Sequence, residues 1–203
     1  MSLGIFARRS IVGILLLAAA TTSSAAPNLS REPGERLARK IDEINNNAAA
    51  DPVRPMKTPI SEPEVNSYLA FNIKDKIPPG LANPEIRMVG AGQLSGRVFV
   101  DMGEFKRHRR SGGFLDPFSF ISGQVPVTAH GVLRTKDGTG QFQLASAEIH
   151  GVPLPKPLVQ ELVSFFSRTP EHPNGFNIDA PFTLPAEIRE IAIDRGTAVV
   201  MQE

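Results

Sequence analysis

The 203-residue chain has no cysteine, no tryptophan and a single tyrosine, Tyr68. Without cysteine there are no disulfides, thiolate metal sites or cysteine nucleophile, and no cysteine to carry a lipid at a mature N-terminus. The core must come from apolar burial alone, which one domain of about 140 residues can supply. A dominant charge is lacking too, since 22 basic residues face 21 acidic ones. A nucleic-acid binder would carry a broad basic surface, so no nucleic-acid partner is expected. Catalytic signatures are missing. No G-x-S-x-G elbow occurs, and Gly90, Gly92 and Gly96 fall between two strand patterns, which reads as a hairpin turn and not a phosphate loop. His108, His130, His150 and His172 have no metal-ligand spacing. Asp101, Glu104 and Asp116 have no partner pattern that would make them paired carboxylates. We therefore expect no catalytic residue, no metal and no cofactor.

The N-terminus reads as a targeting segment. Arg8 and Arg9 form a basic start, Ile11 to Ala20 an apolar stretch, and Thr21 to Ala26 a small-residue cleavage zone. Ten apolar residues are short for a membrane span, which needs about 20. Residues 1–25 are thus expected to be a signal peptide cut after Ala25, leaving a periplasmic or secreted protein. The residues after the arginine pair match a twin-arginine signal poorly, which favours the general secretory route. Losing Arg8 and Arg9 leaves 20 basic residues against 21 acidic ones, a formal change from +1 to −1. Export without cysteine fits a bacterial envelope better than a eukaryotic secretory compartment.

Residues 26–59 read as a proline-rich arm and linker. Leu37, Ile41 and Ile44 share one helical face within ERLARKIDEI, so this stretch reads equally as a short amphipathic helix or a solvated arm. Three prolines between Asp51 and Pro59 mark the linker. Residues 60–203 are expected to form a single domain. Ser61-Glu62-Pro63-Glu64 is a capping box opening a helix with Val65, Tyr68 and Leu69 inward and Asn66 and Asn72 outward. KDKIPPGLANP follows as a loop. Alternating strands then run through Ile86, Leu94 to Met102 and Ile121 to Arg134. Asp137-Gly138 marks a hairpin into a strand from Gln141 to His150. In Gly151–Arg168 the residues Leu158, Val159, Leu162, Val163, Phe165 and Phe166 make one apolar stripe, after prolines 153, 155 and 157. Strands at 176–182, 188–194 and 197–201 close the chain. This gives an α+β domain with a curved antiparallel β-sheet wrapped around one long amphipathic helix, and a short second helix.

One local anomaly stands out. Lys106, Arg107, His108, Arg109 and Arg110 concentrate four fixed positive charges on an expected loop, followed by Phe114, Phe118 and Phe120. Such a segment suits anionic headgroups, at about 1 kcal/mol per basic side chain. It also reads as a solvated loop with its phenylalanines folded onto the core.

Two passages, AEIHGVPLPKPLVQELVSFF at 147–166 and FTLPAEIREIAIDRGTAVVMQ at 182–202, carry a resemblance to small exported bacterial proteins of the tubular lipid-binding (TULIP, SMP-like) type. It covers about the last 60 residues well and the meander before them loosely. The basic run and the N-terminal arm have no counterpart in it. The resemblance implies acyl chains held between a sheet and a helix, with no catalytic residues. On that reading Leu158, Leu162, Phe165 and Phe166 from the helix and Val98, Val100, Val127 and Leu133 from the sheet line a lipid-binding groove. Lys106, Arg107, Arg109 and Arg110 contact the membrane, and a homodimer that closes the groove is compatible with it. The expected partners are lipid acyl chains and an anionic membrane surface. The alternative is a non-enzymatic envelope scaffold, with a filled core, that binds a protein through a strand edge or the arm. An enzyme is the weakest reading, because no nucleophile, base and orienting group assemble from the motifs.

Overall fold

A computed structural model describes residues 29–108, 118–170 and 172–203. The expected signal peptide, Arg109, Arg110 and Phe114 lie outside the described residues. The elements in order are α1 (Arg31–Ala48), β1 (Met56–Ser61), α2 (Glu62–Ser67), β2 (Leu81–Gly90), β3 (Gln93–Asp101), α3 (Met102–His108), β4 (Gln124–Lys136), β5 (Thr139–Ile149), β6 (Val152–Pro153), α4 (Lys156–Phe166), β7 (Phe182–Thr183), β8 (Ile188–Asp194) and β9 (Thr197–Gln202). They form two antiparallel sheets. The larger has the order β2-β3-β4-β5-β6, with β7 paired to the start of β5, and the smaller is β1-β9-β8.

The turns of the larger sheet follow from their sequence. Asp137-Gly138 joins β4 to β5 with both residues at positive φ (49° and 77°), as a type I′ hairpin requires. The three-stranded sheet caps this hairpin end. Gly92 N–H donates to Ile193 O at 3.1 Å, Gly138 N–H to Arg189 O at 3.0 Å, and the Thr135 hydroxyl bridges Ile191 N and O. Residues 56–59, which read as linker, instead supply β1 and pair with β9.

No single long helix organises the sheet, which corrects the expected fold. α4 has 11 residues and rises about 16 Å. The strands β4 and β5 beside it, of 13 and 11 residues, run about 40 Å. The helix covers only part of one face. The reason is local. His150 and Gly151 take positive φ (53° and 78°) and turn Val152–Pro153 back onto β5, so the helix cannot begin before Lys156. It ends at Phe166, where the Ser167 hydroxyl donates to Val163 O and accepts from Phe176 N–H, both at 2.6 Å. Of residues 176–182, expected as a strand, only Phe182 enters one.

The longest helix among the described residues is α1, with 18, in the segment expected to be an arm or short helix. It buries Leu37 and Ile44 and packs on α2 and the π-turn Tyr68–Asn72 that continues it. The contact is close at Gly34, where an added Cβ would lie 2.4 Å from Asn72 Oδ1 and 3.1 Å from Ser67 backbone. The capping box at the start of α2 forms with both of its hydrogen bonds. Its Glu64 is buried and takes the Lys40 ammonium of α1 on both oxygens, at 2.8 and 2.9 Å. Burial raises the pKa of this carboxyl, but the hydrogen bonds from Lys40 and Ser61 outweigh it and hold Glu64 below its ordinary value.

Asn66, expected outside, is only 2% exposed. Its amide donates to Ile86 O and accepts from Ile86 N–H, both at 2.8 Å, while Glu62 accepts from Met88 N–H at 2.7 Å. These side chains occupy backbone groups on the free edge of β2.

Candidate functional site: an apolar cleft beside α4

Even-numbered residues of β3 and odd-numbered residues of β4 face α4. On that face Gly96 and Ala129 are directly paired across the strands. Neither carries a side chain long enough to reach the helix, and the space they leave is an open cleft of about 290 Å³. Its floor is Gly96, Val98, Val100, Val127 and Ala129. One wall is Val159, Leu162, Val163 and Phe166 of α4, and the other is the start of β2 with Leu81, Pro84 and Ile86. Glu85 and Arg97 complete the lining. Arg97 points to the opposite face of the sheet, where its guanidinium lies 5.2 Å from the centre of the Phe99 ring. An added Cβ on Gly96 would find its nearest neighbour, Ile86 Cδ1, at 3.6 Å. The absence of a side chain there is not imposed by crowding.

Five of the eight groove residues expected from the sequence meet here: Val98, Val100, Val127, Leu162 and Phe166. Leu158 and Phe165 do not line the cleft. They pack against the main core, Phe165 edge-on to Phe105 with ring centres 5.2 Å apart. Leu133 lies farther along β4, in a separate cluster with Met88, Ile193 and Ala198 under the smaller sheet. Sequence reasoning missed Gly96, Ala129 and the β2 wall. Small residues amid alternating bulky ones were the available signal, while Pro84 made the β2 wall read as loop.

A second recess of about 490 Å³ adjoins the cleft and shares Leu81, Pro84 and Glu85 with it. It is more polar, bounded by Asn66, Lys74 and Asn83 as well as Leu69, Ile77 and Pro78. Backbone irregularities concentrate around it. Asn83 has φ +48°, the β2–β3 register shifts between Ala82 and Glu85, and the π-turn at Tyr68–Asn72 supplies Leu69 and Ala70. Such features recur at functional sites.

The basic run is not simply a loop. Lys106 and Arg107 belong to α3, whose N-terminus is capped by Asp101 through the Gly103 and Glu104 N–H groups. Lys106 Nζ donates to Ser119 O at 3.0 Å, and Arg107 pairs with Glu104. Phe118 is completely buried against Phe105, whereas Phe120 is 89% exposed. Among the described residues no group of three or more histidines, aspartates or glutamates is placed to hold a metal ion, and no helix is long and apolar enough to cross a membrane. No protein-family model, curated protein or solved structure matches the chain.

Proposed function

We propose that this is a non-enzymatic, exported envelope protein that binds or transfers an acyl-chain lipid, with the chain in the cleft beside α4. One observation carries the reading: Gly96 and Ala129, paired on the covered face of the sheet, leave an apolar cleft that larger side chains would fill. Burying a chain there is worth about 0.8 kcal/mol per CH₂, so about eight methylenes contribute about 6 kcal/mol before the cost of ordering the ligand. The adjoining recess suits a polar headgroup, with Lys74 at its rim for an anionic one. The ligand class is therefore a single-chain or partly inserted amphiphile. A protein scaffold using the β2 edge or the N-terminal segment is less well supported. Asn66 and Glu62 occupy that edge, and α1 is packed on α2.

The test is a titration with cis-parinaric acid, whose fluorescence rises in apolar surroundings. Gly96→Val fills the floor without a backbone clash and removes a strand glycine, which is destabilising by roughly 0.5–1 kcal/mol. The variant is expected to melt at or above the wild-type temperature yet bind the probe at least about tenfold more weakly, the loss expected for about 1.4 kcal/mol. Equal probe binding by a well-folded Gly96→Val would remove the cleft as the site.

A further inference from the structure

The most exposed large apolar side chain among the described residues is Phe120, and Val152 follows it at 62%. They are 32 positions apart in sequence but border one shallow recess with Ile121, Val125, Ile149 and His150. Two turns present them, the one at 118–120 before β4 and the His150-Gly151 turn between β5 and β6. This end of the larger sheet is opposite the one capped by β8 and β9. Phe118, two residues earlier, is fully buried and fills the core beside Phe105.

The basic helix α3 is fastened to the same tip. Lys106 Nζ holds Ser119 O, the carbonyl next to Phe120, and that bond to a neutral acceptor leaves the ammonium charge uncompensated by it. Arg107 follows it in α3, an exposed side chain whose guanidinium pairs with Glu104. α3 also lies beside one wall residue of the cleft, Phe166, since Phe105 stacks on its ring and an added Cβ on Gly80 would meet both Glu104 and Phe166 within 3.2 Å.

We propose that Phe120 and Val152 form an interfacial anchor that inserts into an anionic lipid bilayer, with Lys106 and Arg107 of α3 on the headgroups. Apolar side chains beside cations are what such a surface selects, because the aromatic ring enters the acyl boundary while the cations stay with the phosphates. Charge complementarity favours a membrane over a second copy of this nearly neutral chain. Docking would set α3, and the cleft wall beside it, against the bilayer. The inference deepens the lipid reading by naming the surface at which lipid would be exchanged. It is tested without any cargo in the cleft.

The chain has no tryptophan, so Phe120→Trp gives a single reporter at the tip, and Phe176→Trp, at a half-exposed site packed on Phe182, gives a control. Vesicles of phosphatidylcholine with one-third phosphatidylglycerol are expected to shift Phe120→Trp emission to the blue, reversed by high salt. Phe176→Trp is expected to stay unchanged. In co-sedimentation, the double variant Phe120→Ser/Val152→Ser should bind these vesicles at least about tenfold more weakly while melting like the wild type. No blue shift with anionic vesicles would overturn the proposal. So would a shift that depends only on protein concentration, which would mark a contact between copies. If the shift occurs but cis-parinaric acid does not bind, the anchor stands and the cleft reading falls; the converse result separates them the other way.

Discussion

The buried carboxylate of Glu64 gathers partners from α1 and from the N-cap of α2. It takes Lys40 on both oxygens, accepts from Ser61 N–H at 2.8 Å, and lies 3.5 Å from Arg36 Nε. Its pKa in the folded chain lies below the ordinary value of 4.5. A depressed carboxylate contributes stability that is fully present above the unfolded value and is lost as pH falls through the folded one. Glu64→Gln is expected to be about 2 kcal/mol less stable at neutral pH, because it leaves the Lys40 ammonium without its counter-charge. The gap should narrow as pH is lowered below about 4.5. Urea unfolding of both proteins from about pH 3 to pH 7 measures this. A pH-independent gap would show that the carboxylate charge contributes nothing. The capping box around Glu64 was legible in the sequence because its partners are three residues apart. Lys40 was not, since nothing in the pattern of α1 says which element it faces. Asn66 was misjudged for the same reason: its partner, the backbone of Ile86, is 20 residues away.

At the scale of elements, stripes and turns were readable and their lengths were not. The apolar stripe in α4 is real, with Val159 and Leu162 buried. His150-Gly151, however, makes a turn that consumes the residues expected to extend the helix. Phe165 belongs to the stripe yet faces Phe105 and not the cleft, a distinction that needs the position of α3. The helix α1 depends on Gly34 for its approach to α2. Gly34→Leu is expected to force α1 away from Ser67 and Asn72 and to destabilise the protein by about 1–3 kcal/mol, in the range of overpacked contacts. Hydrogen exchange should then rise in residues 31–48 and 62–72 first and spare β4 and β5. Exchange that accelerates uniformly would mean that α1 and the sheets unfold as one unit.

At the scale of the whole molecule, the described residues form two sheets, the hairpin end of the larger one hydrogen-bonded to β8 at the edge of the smaller, with a short helix lying over part of the larger one. Alternation in the strands made the antiparallel character legible. The division into two sheets was not, because it rests on β1 pairing with β9 across nearly the whole described chain. Leu133 shows how this matters for the site. It has the same parity as Val127 and so the same face, but six residues along a strand is about 20 Å, which carries it out of reach of α4 and under the smaller sheet. Gly96 and Ala129 define the cleft only through their register, and register is a property of the assembled sheet. Lipid binding in that cleft is the central claim. The most direct measurement is native mass spectrometry, with organic extraction, of wild type and Gly96→Val purified after export in a bacterial host. The wild type is expected to carry one acyl-chain lipid near stoichiometry, and the variant to have lost it. A clean apo mass for the wild type, together with no uptake of lipid from vesicles, would contradict it.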